Sequence, residues 1–342
     1  MTSPALRALR ENLPTTRITL MASPTGALTA PLLPWIDEVL PWRAVWQDLG
    51  RLNFDPAREW ELIETLKSRQ FDAAIIFTSF SQSPHPPAFI CALAGIPVRM
   101  GESKEVDTGT LTHALPPAPD TLHQVDRNLR LIESLGFQTS DRRLALHIPP
   151  ASQQTALQLL RQFSPSSTLQ NFLLFNPWTT CPSRNYDPDR FAVAVRQLSD
   201  QTGYPVVMTG VEKDRSRSQL LLERLGDRVI DLMGATNLSE LVALIAAAKL
   251  LLSNNTSTMH IADAVGTPSI ILFAGTEIEC QWQPRNSPSR LLRRPTLCSP
   301  CYAFTCPYER QCLDIEPEAI VTAGLELLEE CDSKNTVKYS SS

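Results

Sequence analysis

The segment Ser253 to His260, SNNTSTMH, crowds short hydrogen-bonding side chains and one histidine into a single break in an otherwise apolar stretch. An apolar run closes at Ser253, the polar residues Asn254 to Thr258 follow, and Met259 to Val265 is amphipathic. Gly266-Thr267-Pro268 then turns the chain into the apolar Ser269 to Phe273. The pattern reads as strand, loop, helix, turn, strand. In a parallel sheet such a loop lies at the carboxyl end of its strand, where the free N–H groups of the helix N-terminus favour an anion. A phosphate-bearing ligand is the expected occupant. A helix N-terminus also disfavours imidazolium, so His260 would present a neutral ring able to donate one N–H to a phosphate oxygen.

Three further polar loops follow expected strands. After Phe172 to Phe175 comes NPWTTCPSRNYDPDRF, in which Thr179 and Thr180 offer hydroxyls and Arg184 a forked cation suited to phosphate. After Pro205 to Thr209 comes GVEKD, where Gly210 permits close approach and Glu212 could accept hydrogen bonds from ribose hydroxyls. After Asp231 the backbone of Gly234 to Asn237, including Thr236, could meet a base edge. Together these contacts describe a nucleotide. Each residue also has a plainer reading: turn formers at Thr179 and Thr180, solvated charges at Arg184 and Glu212, packing at His260, and a helix cap at Asn255 to Thr258. The combination carries the inference.

The elements that would position these loops alternate along the whole chain. Helices are expected at Pro4 to Asn12, Asp55 to Arg69, Pro87 to Ala94 and His123 to Gly136, and strands at Arg17 to Ala22, Phe71 to Thr78, Val98 to Met100 and Leu144 to Ile148. A helix at Ser152 to Phe163 precedes a polar stretch, the expected domain boundary. A second series follows: helices Pro188 to Thr202, Asp214 to Leu225 and Leu238 to Ala248 between strands, then a helix Glu316 to Glu330. The expected fold is α/β with two tandem doubly wound domains, 1–165 and 166–330, and a disordered tail 331–342.

With 342 residues and 43% apolar content, two cores are affordable in sequence terms. The net charge of -5 and the scattered Lys and Arg argue against nucleic acid. The sequence has neither an apolar stretch of transmembrane length nor the layout of a signal peptide at its start, so a cytosolic protein is expected. Four of the eight cysteines crowd into Cys298, Cys301, Cys306 and Cys312. That spacing permits a tetrathiolate zinc site, disulfides or a reduced packed cluster. The irregular later intervals and a reducing cytosol weigh toward the reduced cluster.

SNNTSTMHIADAVGTPSIILFAGTE, followed by QWQP, CSPC, Cys306, Cys312 and Ile315-Glu316-Pro317-Glu318, resembles the C-terminal half of glycosyltransferase family 9, the ADP-heptose:lipopolysaccharide heptosyltransferases. The resemblance extends to NPWTTCPSRNYDPDRF, VVMTGVEKD and LMGATNLSELVALIAAAKLLLSN, and to the N-terminal TSPALRALRENLPTTRITLMAS. It implies a GT-B fold, two Rossmann-like domains with parallel sheets facing across a cleft, the first taking the acceptor and the second the nucleotide sugar. It also implies donor contacts at Asn255, Thr256, Ser257 and His260 (phosphate loop), at Thr179, Thr180 and Arg184 (diphosphate), at or near Glu212 (ribose) and near Thr236 (adenine). Transfer would invert the anomeric centre with no required cofactor or metal. The implied substrates are ADP-heptose or a related nucleotide sugar and a lipid-linked saccharide or other envelope glycan at the inner membrane surface.

The departures are specific. The family usually has Asp-Thr-Gly at Asn255-Thr256-Ser257 and Lys at Arg184, so the donor sugar is left open. The family also places a strand and a Gly-Asp loop just before the segment matched by Thr2-Ser3-Pro4, and that Asp is its candidate general base. The chain read from Met1 has neither, so an internal methionine start is expected. The N-terminal sheet would then lack a central strand, and the catalytic residue is unassigned. An in-frame stop codon shortly upstream, with no Gly-Asp, would contradict this. The rival readings are a catalytically impaired protein of the same fold that binds a nucleotide sugar or a partner, and a sugar-nucleotide epimerase.

Overall fold

The computed structural model describes residues 1–48, 50–106, 109–163 and 171–340. The chain divides into two compact units, Met1–Arg142 and Arg143–Ser342.

The first unit contains α1 (Ser3–Asn12), β1 (Thr19–Ala22), α2 (Pro24–Ala27), β2 (Glu38–Pro41), α3 (Pro56–Ser68) and β3 (Ala73–Ile76). It continues with α4 (His85–Leu93), β4 (Val98–Glu102), β5 (His113–Leu115) and α5 (Gln124–Glu133). Pro4 starts α1, where its missing N–H costs nothing, and the helix buries Ala5, Leu6, Ala8 and Leu9 on the face that meets α5. The strands are parallel but form two sheets, β1-β2 and β3-β4-β5. Among the described residues β1 pairs only with β2 and β3 only with β4, and all four residues of β1 are half-buried. Leu40, Leu62, Ile63, Leu66, Ala94 and Ile96 form a core over these strands.

The second unit contains α6 (Pro150–Phe163), β6 (Leu173–Asn176), α7 (Pro188–Thr202), β7 (Val206–Gly210), α8 (Arg215–Leu225) and β8 (Val229–Met233). Then come α9 (Leu238–Ala247), β9 (Leu250–Asn254), α10 (Ser257–Val265), β10 (Ser269–Leu272), α11 (Glu279–Trp282), β11 (Ser289–Leu292) and α12 (Pro317–Ser340). Its six parallel strands run in the order β8-β7-β6-β9-β10-β11. Counted within the unit this is 3-2-1-4-5-6, the order of a dinucleotide-binding doubly wound sheet. Strands β6, β9 and β10 are fully buried because helices cover both faces, which explains their unbroken apolar runs.

Several sequence expectations are corrected. Leu144 to Ile148 forms no strand among the described residues, and only Leu144 in it is buried. The boundary expected at 165/166 falls outside the described residues. Helix α6, assigned above to the first domain, packs on α9 of the second unit through its buried Ala156 and Leu160. The tail 331–342, expected to be disordered, lies within α12 as far as Ser340; no Gly or Pro interrupts it there, and residues 341 and 342 lie outside the described residues.

On α7, Phe191 sits edge-on to Phe175 at 4.7 Å and to Tyr186 at 5.3 Å. The Tyr186 hydroxyl donates to the Ile315 carbonyl at 2.5 Å, and burial pushes its pKa up from 10.0 to about 12. An acid with a raised folded pKa keeps its proton where the unfolded chain has lost it. Stability is therefore expected to fall as pH rises from about 10 through about 12, by at most about 3 kcal/mol. Tyr186→Phe should flatten that alkaline loss in denaturant unfolding curves recorded on both sides of this window.

Candidate functional site

The strand order reverses direction between the paired strands β6 and β9, so the loops leaving their carboxyl ends diverge and open a crevice. Asn254, the last residue of β9 and fully buried, ties the two loops together. Its Nδ2 donates to the Pro177 carbonyl at 2.6 Å and its Oδ1 accepts the Tyr186 N–H at 3.0 Å. Everything between Pro177 and Tyr186 is thereby suspended over the end of β9.

Within that span the chain makes a short 3-10 turn, Pro182–Arg184. Arg184 is half-buried and reaches the loop after β10, where its Nε donates to Thr276 Oγ1 at 3.0 Å and its Nη2 pairs with Glu277 at 2.8 Å. Ser183, almost fully buried, braces the turn: its N–H donates to the Phe304 carbonyl at 3.2 Å and its hydroxyl to the Ala303 carbonyl at 2.5 Å. Thr179 is also buried. Its hydroxyl donates to the Cys181 carbonyl at 2.7 Å and accepts the Cys181 N–H at 3.1 Å, so it shapes the turn. Thr180 is exposed beside it.

At the end of β9, Asn255 is 2% exposed. Its Oδ1 accepts the Ala274 N–H at 3.1 Å, which fixes the amide, and its buried Nδ2 has no hydrogen-bond partner. Thr256 occupies the N-cap of α10 in extended conformation, and its side chain makes no capping bond. The helix-cap reading of this loop therefore does not describe Thr256. The first N–H groups of α10 keep their capacity to donate, and the helix dipole adds positive potential there. Ser257 is exposed at the first helical position, Thr258 is bonded to Ser253 through their hydroxyls at 2.8 Å, and His260 lies in the first turn with its ring 6.2 Å from that of Trp282.

Glu212 and Thr236 stand on the loops after the neighbouring strands β7 and β8. Glu212 opens a 3-10 turn and accepts from Arg215 Nε at 3.1 Å, while Arg215 also reaches Asp231 at 2.6 Å. Gly234 has φ +69, and a Cβ there would fall 2.1 Å from Glu212 Oε2. The glycine thus leaves room for the carboxylate as well as permitting the turn. Thr236 is half-buried just before the capping box of Asn237 and Glu240. Asn176 Nδ2, donating to the Thr209 carbonyl at 3.1 Å, links the ends of β6 and β7. The expected residues thus stand on loops at the carboxyl ends of neighbouring strands, Arg184 after β6 and the α10 turn after β9, Glu212 after β7 and the Gly234 turn after β8.

Thr276 and Glu277 were not singled out from the sequence, nor were the bracing bonds of Asn254 or the close approach of Gly234 to Glu212. The rule that points to loops at strand ends would have found Thr276 and Glu277, since FAGTE closes the β10 run. The four-cysteine loop forms a wall of the site: Cys301 N–H donates to the Gly275 carbonyl and Tyr302 N–H to the Thr276 carbonyl, both at 3.0 Å. All eight cysteines are free thiols, and the Cys312 thiol is pushed up by burial first and then by the neighbouring cysteines. Among the described residues no group of three or more His, Cys, Asp or Glu side chains is arranged to hold a metal ion, and no helix is long and apolar enough to cross a membrane.

The sequence profile of glycosyltransferase family 9 (heptosyltransferase) matches residues 59–311. Lipopolysaccharide heptosyltransferase 2 of Escherichia coli K12 is 27% identical over 290 residues, covering 80% of this chain and 78% of that protein. Lipopolysaccharide heptosyltransferase 3 of Escherichia coli is 24% identical over 292 residues, covering 83% and 82%. Among solved structures, a family 9 glycosyltransferase from Veillonella parvula superposes with a TM-score of 0.78 at 20% identity, covering 96% of this chain and 93% of that one. Escherichia coli ADP-heptose lipopolysaccharide heptosyltransferase II gives 0.72 at 22% identity, covering 97% and 95%. These superpositions establish the shared fold, two Rossmann-like domains of the GT-B type.

Proposed function

The chain belongs to glycosyltransferase family 9, and on that premise we propose that it transfers heptose or a related sugar from ADP-heptose to a lipopolysaccharide core acceptor, with inversion. The observation that carries the donor half of this reading is the uncapped N-terminus of α10 after β9, next in the sheet to β6, whose loop carries Arg184, at the point where the strand order reverses. An N-terminus with unused N–H groups and a guanidinium fork together suit a diphosphate. Its similarity to lipopolysaccharide heptosyltransferases 2 and 3 supports the heptose and the acceptor.

In this proposal the diphosphate lies against the N–H groups of Thr256 to Thr258 and the His260 ring, with Arg184 reaching it from the β6 loop. Glu212 takes the ribose hydroxyls, and the backbone near Thr236 meets the adenine. The acceptor hydroxyl attacks the anomeric carbon from the face opposite the diphosphate, giving up its proton to a general base as the bond to the leaving phosphate oxygen breaks. Negative charge grows on that oxygen. Arg184, once donor binding has turned it to the diphosphate, and the α10 N–H groups offset it without a metal ion. We place the reaction in the cytoplasm at the inner membrane surface, where a lipid-linked acceptor would be presented.

Incubating the protein with ADP-heptose and lipopolysaccharide lacking the acceptor's heptose tests the reading. Transfer would appear as a heptosyl mass increment on the acceptor together with released ADP. Tight donor binding with neither product would instead favour a binding protein of the same fold. Gly234→Ala is expected to push Glu212 out of place and to weaken ADP binding about tenfold, at a stability cost of about 1–3 kcal/mol for the strained φ. Calorimetry and thermal melting measure the two effects separately.

A further inference from the structure

We propose that Glu277 distinguishes the sugar-bearing donor from the bare nucleoside diphosphate, which makes it a specificity-determining residue; this rests on the donor site proposed above. The site contains a pairing that a diphosphate cradle does not need. Arg184 Nη2 is held by Glu277 Oε1 at 2.8 Å and its Nε by Thr276 Oγ1 at 3.0 Å. Thr276 is itself 2% exposed and pinned through its carbonyl by Tyr302 N–H, so the whole loop after β10 is fixed. The Arg184 and Glu277 side chains are about equally half-buried, at 25% and 22% exposure.

A carboxylate beside an anion site opposes the anion, and this one also occupies part of the cation that the anion needs. Binding a diphosphate therefore requires an exchange in which Arg184 turns from Glu277 to phosphate oxygens. What Glu277 meets next depends on the ligand. With a sugar nucleotide, the freed carboxylate lies next to the diphosphate and accepts hydrogen bonds from sugar hydroxyls, replacing the partner it lost. With ADP alone, there are no hydroxyls beyond the terminal phosphate, and the carboxylate faces negative charge. Asn255 does not fill this role, because its Oδ1 is committed to Ala274 N–H and its Nδ2 is buried.

The same exchange favours turnover. Once the sugar has left, Glu277 recaptures Arg184 and helps expel ADP. Glu277 thus works against the product at no cost to the donor.

Glu277→Gln separates these effects, since it removes the charge and keeps the shape. Wild type, Glu277→Gln, Glu277→Ala and Arg184→Ala are titrated calorimetrically with ADP and with ADP-heptose. Glu277→Gln is expected to bind ADP several-fold more tightly and ADP-heptose no better or a few-fold more weakly, so that the preference for donor over ADP falls by about threefold to tenfold. Glu277→Ala should show the same fall in preference, and melting curves confirm that both variants are folded. An unchanged preference in folded Glu277→Gln, with ADP binding still lost in Arg184→Ala, overturns the role of Glu277 and leaves the donor site standing. Wild-type protein that binds neither ligand overturns both.

Discussion

Arg184→Ala is expected to weaken the binding of ADP and ADP-heptose by about a hundredfold and to lower kcat by a further tenfold to hundredfold, with the fold unaffected. Removing a guanidinium that makes two charge-assisted bonds to a diphosphate costs about 3 kcal/mol in the bound state. The cost is larger in the transition state, where charge on the leaving oxygen has grown. The fold tolerates the change because the partner left behind, Glu277, is partly solvated and because Thr276 keeps its backbone bond to Tyr302. Melting temperature should stay within about 2 °C of wild type. Arg184→Lys should fall between the two proteins, since it restores a point charge without the fork. Donor titrations and initial-rate measurements on the three proteins check all of this. A full-activity Arg184→Ala would remove Arg184 from the site.

The second large effect is on stability. Asn254→Ala deletes a side chain that is fully buried and holds two backbone groups, the Pro177 carbonyl and the Tyr186 N–H. Each group loses its partner in a place water does not reach, at about 1–3 kcal/mol apiece. A total of about 2–6 kcal/mol lowers the melting temperature by roughly 3–8 °C for a protein of this size. Because the same two bonds suspend the turn that carries Arg184, donor affinity should fall as well, in molecules that are still folded. Asn254→Asp is no rescue near neutral pH: it keeps an acceptor for Tyr186 but sets a buried carboxylate against the Pro177 carbonyl. Thermal melts of the three proteins, paired with ADP titrations below the transition, separate the effect on folding from the effect on the site. A melting temperature of Asn254→Ala close to wild type would show that the loops are held by other means.

Much of the second unit was legible because its strands are buried on both faces and its loops are chemically distinct from them. Phe172 to Phe175 and Leu250 to Ser253 read as strands from apolar runs alone, and the loops after them carried Arg184 and the α10 turn. What pattern cannot supply is which strands are neighbours. The juxtaposition of β6 and β9, on which the crevice depends, emerges only when the order β8-β7-β6-β9-β10-β11 is known. Thr179 shows the limit for single residues, since a threonine whose hydroxyl closes its own turn looks the same in sequence as one facing a ligand.

The first unit was harder to read. Glu38–Pro41, His113–Leu115 and Ser289–Leu292 of the second unit are strands by virtue of their parallel partners, and their few apolar residues give no run to detect. Leu144 to Ile148 has the opposite character: its alternation suits a strand, but it joins none of the sheets among the described residues. Helix α10 begins at Ser257 rather than at Met259, because the uncapped Thr256 already has extended backbone and the helix follows directly. That shift of two residues places Ser257 and Thr258 in the first turn of the helix.

The most direct test of the central claim, that the loops after β6 and β9 hold the diphosphate of an ADP-sugar, is calorimetric titration with ADP-heptose, a GDP-sugar and a UDP-sugar. Wild-type protein is expected to bind ADP-heptose at one site per chain, more tightly than the other two, and Arg184→Ala to lose that binding. Absence of binding by all three ligands, or ADP-heptose binding that Arg184→Ala leaves intact, would contradict it.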